Sequence, residues 1–508
     1  MNKDLYIFNS LSGEKELFRS IKPNEVSLYV CGPTVYSSSH MGHARSAIVF
    51  DTIVKFLRFI NLKVTYVRNF TDIDDKIINR ANEEKVDHKE ISMKYKLEYI
   101  EDMKNLGCIE PDYQPSVSEN IPEIIDLISN IISKGFAYEN GGDVYFNVQK
   151  FKEYGKLSNQ SVDSILSNTR LEINPNKNYD LDFALWKKAK ENEPYWTSPW
   201  SNGRPGWHIE CSAMSRKYLG DSFDIHGGGR DLIFPHHENE IAQSECISNK
   251  NFANYWVHNG LININKEKMS KSIGNIINIR EGLKVWDKNI IRILFLTHHY
   301  RTPVDLSNKK LEEIKKSMLN LMKKLQSNTP SSSNFKELWV SAMLDDFNTA
   351  KAFGFYFKFI NDGKLSNKSE IEIKEFEEVM GIYGWRNEIN EDDKSKSFDN
   401  AKIEEIIKER NKARKEKDWD KADKLRELAE SYGIKLLDNE KGLPGRLFKL
   451  NANKFPSFSN YWGLGFPSAS KPACCAICFS KIIWLIISIM TNCRHFRTSL
   501  DMSIRCSS

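Results

Sequence analysis

A thiol and two imidazoles lie close together in the segment YVCGPTVYSSSHMGH, residues 29–43. Cys31 is expected at the carboxyl end of a strand over residues 26–30, because apolar residues alternate there and Gly-Pro follows. His40 and His43 are expected in the first turn of the next helix, where residues three apart point to one side. Helix N-termini favour phosphate oxygens, so the segment predicts a nucleotide site at the edge where open α/β sheets bind ligands.

A second motif, KMSKS at residues 268–272, helps to decide whether residues 29–43 have a catalytic role or only a structural one. Alone, Cys31 also fits a small buried apolar residue, and a His-x-x-His pair is more often structural than catalytic. Lys268 and Lys271 could supply mobile positive charge, and Gly274 suits a flexible loop that closes on a ligand. A lysine pair in a loop is most often only solvated, so the two motifs gain their meaning together.

Metal-ligating residue types occur at four scattered positions, Cys31, Cys211, His236 and Glu240. His236 and Glu240 are four residues apart, so a helix starting near Pro235 would present both on one face. The same spacing fits a hydrogen bond or an ion pair on a helix surface. No C-x-x-C pair joins these candidates, and spacing alone leaves His237 open as an alternative to His236.

The elements that must position these residues are strands and helices in alternation. A second, parallel strand is expected over Lys63–Arg68 after the crossover helix, and a further strand over Phe223–His226. The serines at 37–39 are expected to cap the first helix, and a hairpin is expected over Tyr138–Val148. Helical stripes begin at Leu311. The first strand–helix unit lacks G-x-G-x-x-G, so a dinucleotide-binding fold is not supported.

Composition sets broad limits on the function. The chain has 508 residues, of which 40% are hydrophobic and 28% charged, as in a soluble protein of roughly three or four domains. The formal net charge of +5 permits a nucleic-acid partner without demonstrating one. Cysteines are sparse before the C-terminal tail, which excludes a disulfide framework. The N-terminus has no secretory signal, so we expect a cytoplasmic protein without a membrane partner.

Together, the HMGH and KMSKS motifs resemble the two signatures of class I aminoacyl-tRNA synthetases. The residues around Cys31, Trp207, Cys211 and 236–240 resemble the cysteinyl-tRNA synthetase family in particular, and the resemblance spans about residues 3–442. It implies ATP-dependent ligation of L-cysteine to its cognate tRNA through cysteinyl-adenylate, with ATP bound together with Mg²⁺. A monomer is expected.

The resemblance also implies roles for individual residues. It implies that each chain binds one zinc ion through the ligands Cys31, Cys211, His236 and Glu240. It implies that the bound amino acid is contacted by Thr71, Trp207, His226 and Asp231. It assigns catalysis and ATP binding to His40, His43, Lys268 and Lys271. Our hypothesis is that zinc binds the substrate sulfur, because an apolar pocket would separate cysteine from serine only about 10- to 200-fold, whereas zinc prefers thiolate.

The fold class implied is α/β, with a Rossmann-like parallel-sheet catalytic domain, an insertion, an all-α helical bundle and a small anticodon-binding unit. The expected order is a first catalytic half at 1–110, an insertion at 111–200, a second catalytic half at 201–260, a KMSKS and stem-contact region at 261–307, a helical bundle at 308–390, an anticodon-binding unit at 398–442 and an atypical tail at 443–508. We interpret the tail, which holds five of the nine cysteines, as frame-shifted or disordered sequence.

Two rival functions remain open from the sequence. A cysteine ligase acting on an amino-sugar acceptor would share the catalytic domain but lack the helical tRNA-binding half. A non-catalytic tRNA-binding relative would be expected to lose HMGH, KMSKS or a zinc ligand, and all of these are present.

Overall fold

The computed structural model describes most of the first 431 residues and two short segments beyond them. The described residues are 4–168, 175–264, 267–269, 275–325, 334–361, 367–382, 384–385, 408–410, 412–414, 416, 418–431, 437–438 and 444–445. The chain divides into two units, residues 1–451 and 452–508. The second unit, and with it almost all of the expected tail, lies outside the described residues.

The strands are short and fall into several sheets. In chain order they are β1 Tyr6–Asn9, β2 Glu14–Leu17, β3 Glu25–Val30, β4 Lys63–Arg68, β5 Ala137–Asn140, β6 Asp143–Phe146, β7 Phe183–Lys188, β8 Trp196–Thr197, β9 Asn202–Pro205, β10 Phe223–Gly229, β11 Ala253–Asn259, β12 Ile262–Ile264, β13 Glu267–Lys268, β14 Val304–Asp305, β15 Leu437–Asp438 and β16 Pro444–Gly445.

The helices connect and flank these strands. In chain order they are α1 Met41–Phe59, α2 Asp75–Glu84, α3 His88–Asn105, α4 Ile121–Ser133, α5 Val162–Asn168, α6 Trp207–Leu219, α7 Glu238–Ser248, α8 Ile279–Val285, α9 Lys288–Leu296, α10 Asn308–Leu325, α11 Phe335–Leu344, α12 Thr349–Asn361, α13 Asn367–Met380 and α14 Trp419–Ser431.

The central sheet is parallel, with the strand order β11-β10-β3-β4. The helix α1 crosses from β3 to β4, as the helical spacing of its apolar residues predicted. The strand expected over Lys63–Arg68 is confirmed at those bounds, and the strand expected from Phe223 runs on to Gly229. The α/β fold class is therefore confirmed.

The pleat of β3 sorts its side chains between two cores. Val30 packs with Ile48 of α1 in one hydrophobic cluster. Cys31, the next residue, packs against the other cluster, which contains Ile209 of α6 and Ile241 of α7. Because successive side chains of a strand point to opposite faces, β3 presents Cys31 to α6 and α7 and leaves α1 on the other side.

An antiparallel sheet, in the order β5-β6-β7-β9-β8, is inserted between α4 and α6. The predicted hairpin is confirmed as β5 and β6, and both glycines of its turn, Gly141 and Gly142, have positive φ. The helices from α10 onward carry the predicted apolar stripes, and Leu311, Met318 and Leu321 are buried. No helix in the described part of the chain is long and apolar enough to cross a membrane.

A buried ion pair ties the parallel-sheet region to the helices that follow it. Arg292 of α9 is fully buried and donates to Asp51 of α1, to the Met380 carbonyl at 2.9 Å and to the Leu106 carbonyl at 3.2 Å. A Cβ at Gly381, whose φ is +69°, would overlap the guanidinium group. One side chain thus joins α1, α9 and the ends of α3 and α13.

We expect Arg292→Met to lower the free energy of unfolding by about 3–5 kcal/mol, because it removes the main partner of a buried carboxylate. Arg292→Met combined with Asp51→Asn should be more stable than Arg292→Met alone, because it also removes the buried carboxylate charge and leaves only the partly exposed Lys55, which pairs with Asp51 at 2.9 Å, without its partner. Urea unfolding followed by circular dichroism measures both variants. If the double variant were no more stable than the single one, the loss of charge compensation at Asp51 would not explain the lower stability.

Candidate active site and metal centre

A cleft of about 390 Å³ opens at the carboxyl edge of the parallel sheet, in the size range of ligand sites. Eight of the residues that the sequence singled out line it, namely Cys31, His40, His43, Thr71, Trp207, Cys211, Asp231 and His236. Residues from the HMGH segment, from the expected metal site and from the expected amino-acid pocket thus share one cavity, although about 200 residues of chain separate the first of them from the last.

The four expected metal ligands converge at the base of this cleft. One ligand atom from each of Cys31, Cys211, His236 and Glu240 lies within 4.8 Å of all the others. Cys31 Sγ is 3.7 Å from Cys211 Sγ and 3.4 Å from Glu240 Oε1. His236 Nε2 is 3.1 Å from the same carboxylate oxygen. Two sulfurs, one imidazole nitrogen and one carboxylate oxygen form a donor set that suits zinc.

Three stretches of the chain supply these four ligands, and the third, which holds His236 and Glu240, joins a turn to the start of α7. Cys31 follows β3, Cys211 lies in α6, and Glu240 lies in the first turn of α7. The prediction that Pro235 begins this helix is wrong, because Ile233–His237 forms a wider turn and α7 starts at Glu238. The turn still directs His236 towards Glu240, so the pair meets without sharing a regular helix.

A second possible set, Cys31, His226, His237 and Glu240, shares two of these ligands. His226 Nε2 lies 2.9 Å from Glu240 Oε2, the oxygen turned away from Cys31. His237 Nδ1 lies 2.9 Å from His258 Nε2. Neither His226 nor His237 lines the cleft, whereas His236 does. Only the first set therefore combines both thiols with access from the cavity.

The electrostatics of the cluster call for a cation. Burial raises the pKa of Cys31 well above its usual range, and the hydrogen bond from Cys31 lowers that of Cys211 to about 6. Burial would raise the pKa of Glu240, but His226 and His236 outweigh it and hold it at about 2. Burial would lower the pKa of His236, yet Glu240 and Cys211 raise it to about 10. Two buried anions thus hold a proton on His236, in a place that a metal ion fits.

Several side chains orient the cluster from behind. His208 Nδ1 lies 3.0 Å from His236 Nδ1, and the Trp207 ring lies over His236 with 4.2 Å between ring centroids. His226 was expected in the amino-acid pocket. The structure places it behind Glu240, fully buried and 4.4 Å from the Trp256 ring. Residues that hydrogen-bond to a metal ligand or pack on it fix the orientation of that ligand. The sequence did not point to His208 in this role.

The first turn of α1 is capped by the histidines themselves. The serines at 37–39 were expected to cap it, but His40 is the N-cap residue. Its Nδ1 accepts from the Gly42 amide at 3.1 Å, and His43 Nδ1 accepts from the His40 amide at 3.2 Å. The two rings are stacked with centroids 3.9 Å apart. A neutral imidazole that accepts at Nδ1 carries its hydrogen at Nε2, so each ring keeps an N–H donor at Nε2.

The segments that flank the KMSKS motif are attached to the same helix end. The Met41 amide donates to the Ile277 carbonyl, and the Ile279 amide donates to the Ser39 carbonyl, each at 2.9 Å. Met269 lines the cleft. The Lys268 backbone lies in β13, whereas the Lys268 side chain and all of Lys271 lie outside the described residues.

The expected amino-acid pocket lies beside the metal cluster. Thr71 Oγ1 donates to Glu210 Oε2 at 2.9 Å, and both residues are buried. Asp231 lines the cleft next to Gly229, and Trp207 is 38% exposed there. The sequence reasoning missed Glu210. It directly precedes Cys211 in α6, so the spacing of Trp207 and Cys211 on that helix could have drawn attention to it.

Known proteins share this fold and much of this sequence. A family profile described as "tRNA synthetases class I (C) catalytic domain" matches residues 17–316. A methionyl-tRNA synthetase from Mycobacterium tuberculosis, solved in complex with methionyl-adenylate, aligns with a TM-score of 0.50 over 70% of this chain and 89% of that chain. At 12% identity, that likeness concerns the fold alone.

Curated relatives are similar over most of their length. The cysteine–tRNA ligase of Thermodesulfovibrio yellowstonii is 47% identical over 474 residues, covering 85% of this chain and 97% of that protein. The cysteine–tRNA ligase of Geobacter metallireducens is 45% identical over 477 residues, covering 86% and 98%. The chain therefore belongs to the cysteine–tRNA ligase family of class I aminoacyl-tRNA synthetases.

Proposed function

We propose that this protein joins L-cysteine to its cognate tRNA in two ATP-dependent steps, and that a metal ion selects the amino acid. The observation that carries the proposal is the convergence of four donor atoms within 4.8 Å in the cleft that also holds His40 and His43. An amino-sugar acceptor is not supported, because relatives named cysteine–tRNA ligase match 85–86% of the chain. The cytoplasm as compartment and a monomeric state stay predictions.

Cys31, Cys211, His236 and Glu240 would hold one zinc ion at the base of the cleft. Zinc would supply a thiophilic centre that prefers the sulfur of cysteine to the hydroxyl of serine. The chain itself shapes the surroundings, since Trp207 covers His236 and narrows the space beside the cluster. We assign recognition of the substrate ammonium to Asp231, a carboxylate on the cleft wall.

The first step is attack of the cysteine carboxylate on the α-phosphorus of ATP, which gives cysteinyl-adenylate and pyrophosphate. His40 and His43 would donate from Nε2 to phosphate oxygens, and the N-terminal dipole of α1 adds to this stabilisation. We assign Lys268 and Lys271 to the pyrophosphate, with ATP entering together with Mg²⁺. In the second step, a ribose hydroxyl of the terminal tRNA adenosine attacks the adenylate carbonyl and releases AMP.

The metal ligands are tested with a matched pair of cysteine variants. Cys211→Ser should abolish stoichiometric zinc binding and lower cysteine-dependent ATP–pyrophosphate exchange by about 100-fold or more. Mutating a residue that only hydrogen-bonds to a metal ligand already costs about 10- to 100-fold in metal affinity or activity, and Cys211→Ser removes a ligand itself. Elemental analysis and the exchange assay measure the two effects. Cys108→Ser changes a cysteine that is not in the cluster and should leave both unchanged. Full exchange by zinc-free Cys211→Ser would contradict the proposed selection.

Metal binding should release protons. At pH 7.5 the ion-free cluster holds one proton on Cys31 and one on His236, while Cys211 and Glu240 are already ionised. Zinc should displace about two protons, and its apparent affinity should rise with pH until Cys31 and His236 have both lost these protons. Calorimetry of zinc binding in buffers of different ionisation enthalpy counts the protons. A zinc affinity that does not change between pH 6 and 8 would rule out this protonation scheme.

The role of His43 is tested by a substitution that keeps its capping function. Asparagine can still accept from the His40 amide through Oδ1 but has no donor where the imidazole carries Nε2. We expect His43→Asn to lower the rate constant of adenylate formation by about 100- to 1,000-fold with zinc content unchanged. Rapid-quench measurements under single-turnover conditions give this rate constant. Wild-type rates would remove His43 from the activation step.

A further inference from the structure

Arg68 carries a buried positive charge without an ionic partner in the described part of the chain. It is the last residue of β4 and only 5% of it is exposed. Its Nη1 donates to the Tyr99 hydroxyl at 2.9 Å, and its Nη2 finds no hydrogen-bond partner. A guanidinium group cannot be neutralised by deprotonation, and a buried charge is costly unless it is paired. An anion that comes from outside the chain would supply the missing partner.

Arg68 lines the active-site cleft beside its partner Tyr99, and Tyr36 and Lys76 line the same cleft. Lys76 is exposed, with its Nζ 5.6 Å from the centroid of the Tyr36 ring. Two cations, one buried and one exposed, therefore line the cavity. Arginine forms paired hydrogen bonds with phosphate oxygens, so the chemistry of these cations matches a phosphate group.

The strand order separates the end of β4 from the other substrate groups. β4 is the outermost strand on one side of the sheet and β11 on the other. Neighbouring strands lie about 4.8 Å apart, so the ends of β4 and β11 are roughly 14 Å apart. The end of β11 and the residues that connect it to β12, 259–262, also line the cleft and lead to β13 and the lysine motif. The metal cluster lies between, after β3.

We propose that Arg68 and Lys76 form an anion subsite for the phosphate of the last internucleotide linkage of the tRNA. This inference rests on the proposed function. ATP already has donors at His40 and His43 and the lysines that follow β12, and the amino acid has the metal cluster and Asp231. The tRNA is the remaining anionic substrate. Its last internucleotide phosphate is the one nearest to the attacking hydroxyl, so holding this phosphate positions that hydroxyl at the adenylate carbonyl.

The experiment separates the two steps of the reaction. We expect Arg68→Gln and Lys76→Met to slow single-turnover transfer from enzyme-bound cysteinyl-adenylate to tRNA, by about 10- to 100-fold for Arg68→Gln, as for a lost hydrogen bond to a charged group. ATP–pyrophosphate exchange without tRNA should stay at the wild-type level. Arg58→Gln, which removes an exposed arginine paired with Asp112, is the control for a general loss of positive charge and should leave transfer unchanged.

A modified substrate gives a second measurement that does not depend on how the variants fold. A tRNA whose last internucleotide linkage is an uncharged methylphosphonate should react more slowly with the wild-type enzyme. The same tRNA should show little further loss with Arg68→Gln. The inference is overturned if the methylphosphonate has no effect, or if Arg68→Gln impairs exchange as strongly as transfer. Absence of cysteine-dependent exchange by the wild-type enzyme would instead refute the proposed function.

Discussion

The structure depends on a concentration of negative charge at the base of the cleft. Cys211 and Glu240 are buried as anions, and the Cys31 thiol lies against both. Such a group is tolerated in a low-dielectric interior only when a cation compensates it. The ligands come from the end of β3, from α6 and from the turn and first residues of α7, so these segments pack correctly only where their charges are also balanced. The packing of these segments and the charge balance of the ligand cluster therefore depend on each other.

The parallel sheet distributes the remaining tasks along its carboxyl edge. All four strands point the same way, so their carboxyl ends meet at one edge, and three of these ends contribute different kinds of group. The end of β3 brings the thiol of Cys31, the region after β11 leads to the lysine motif, and β4 ends in Arg68. The helix α1 begins between them with two imidazole donors. Three substrates of different chemistry can thus meet without any large change in the order of the elements.

Sequence patterns predicted the individual strands and helices better than the tertiary contacts between them. Alternation located β3 and β4, since burial on a pleated sheet leaves a period of two. No spacing could reveal the metal cluster, because only tertiary packing brings Cys31 and Cys211 together, and the family resemblance supplied the grouping. The serine cap failed because an imidazole nitrogen also accepts from amides, and His40 took that role. The sequence analysis passed over Arg68 as an ordinary strand residue. Arg68 lies two residues after the buried Tyr66, so its charge is on the same face of β4, and a charge on a buried face was a signal of a special role.

The backbone pairing between residues 39–41 and 277–279 has an evolutionary consequence. Main-chain hydrogen bonds hold this pairing, so they persist when the side chains there are replaced. A change in chain length within either segment would instead shift the register by one residue and turn His40 away from its place. Related chains should thus tolerate neither insertions nor deletions at 277–279, while the buried Ile277 and Ile279 need only remain apolar.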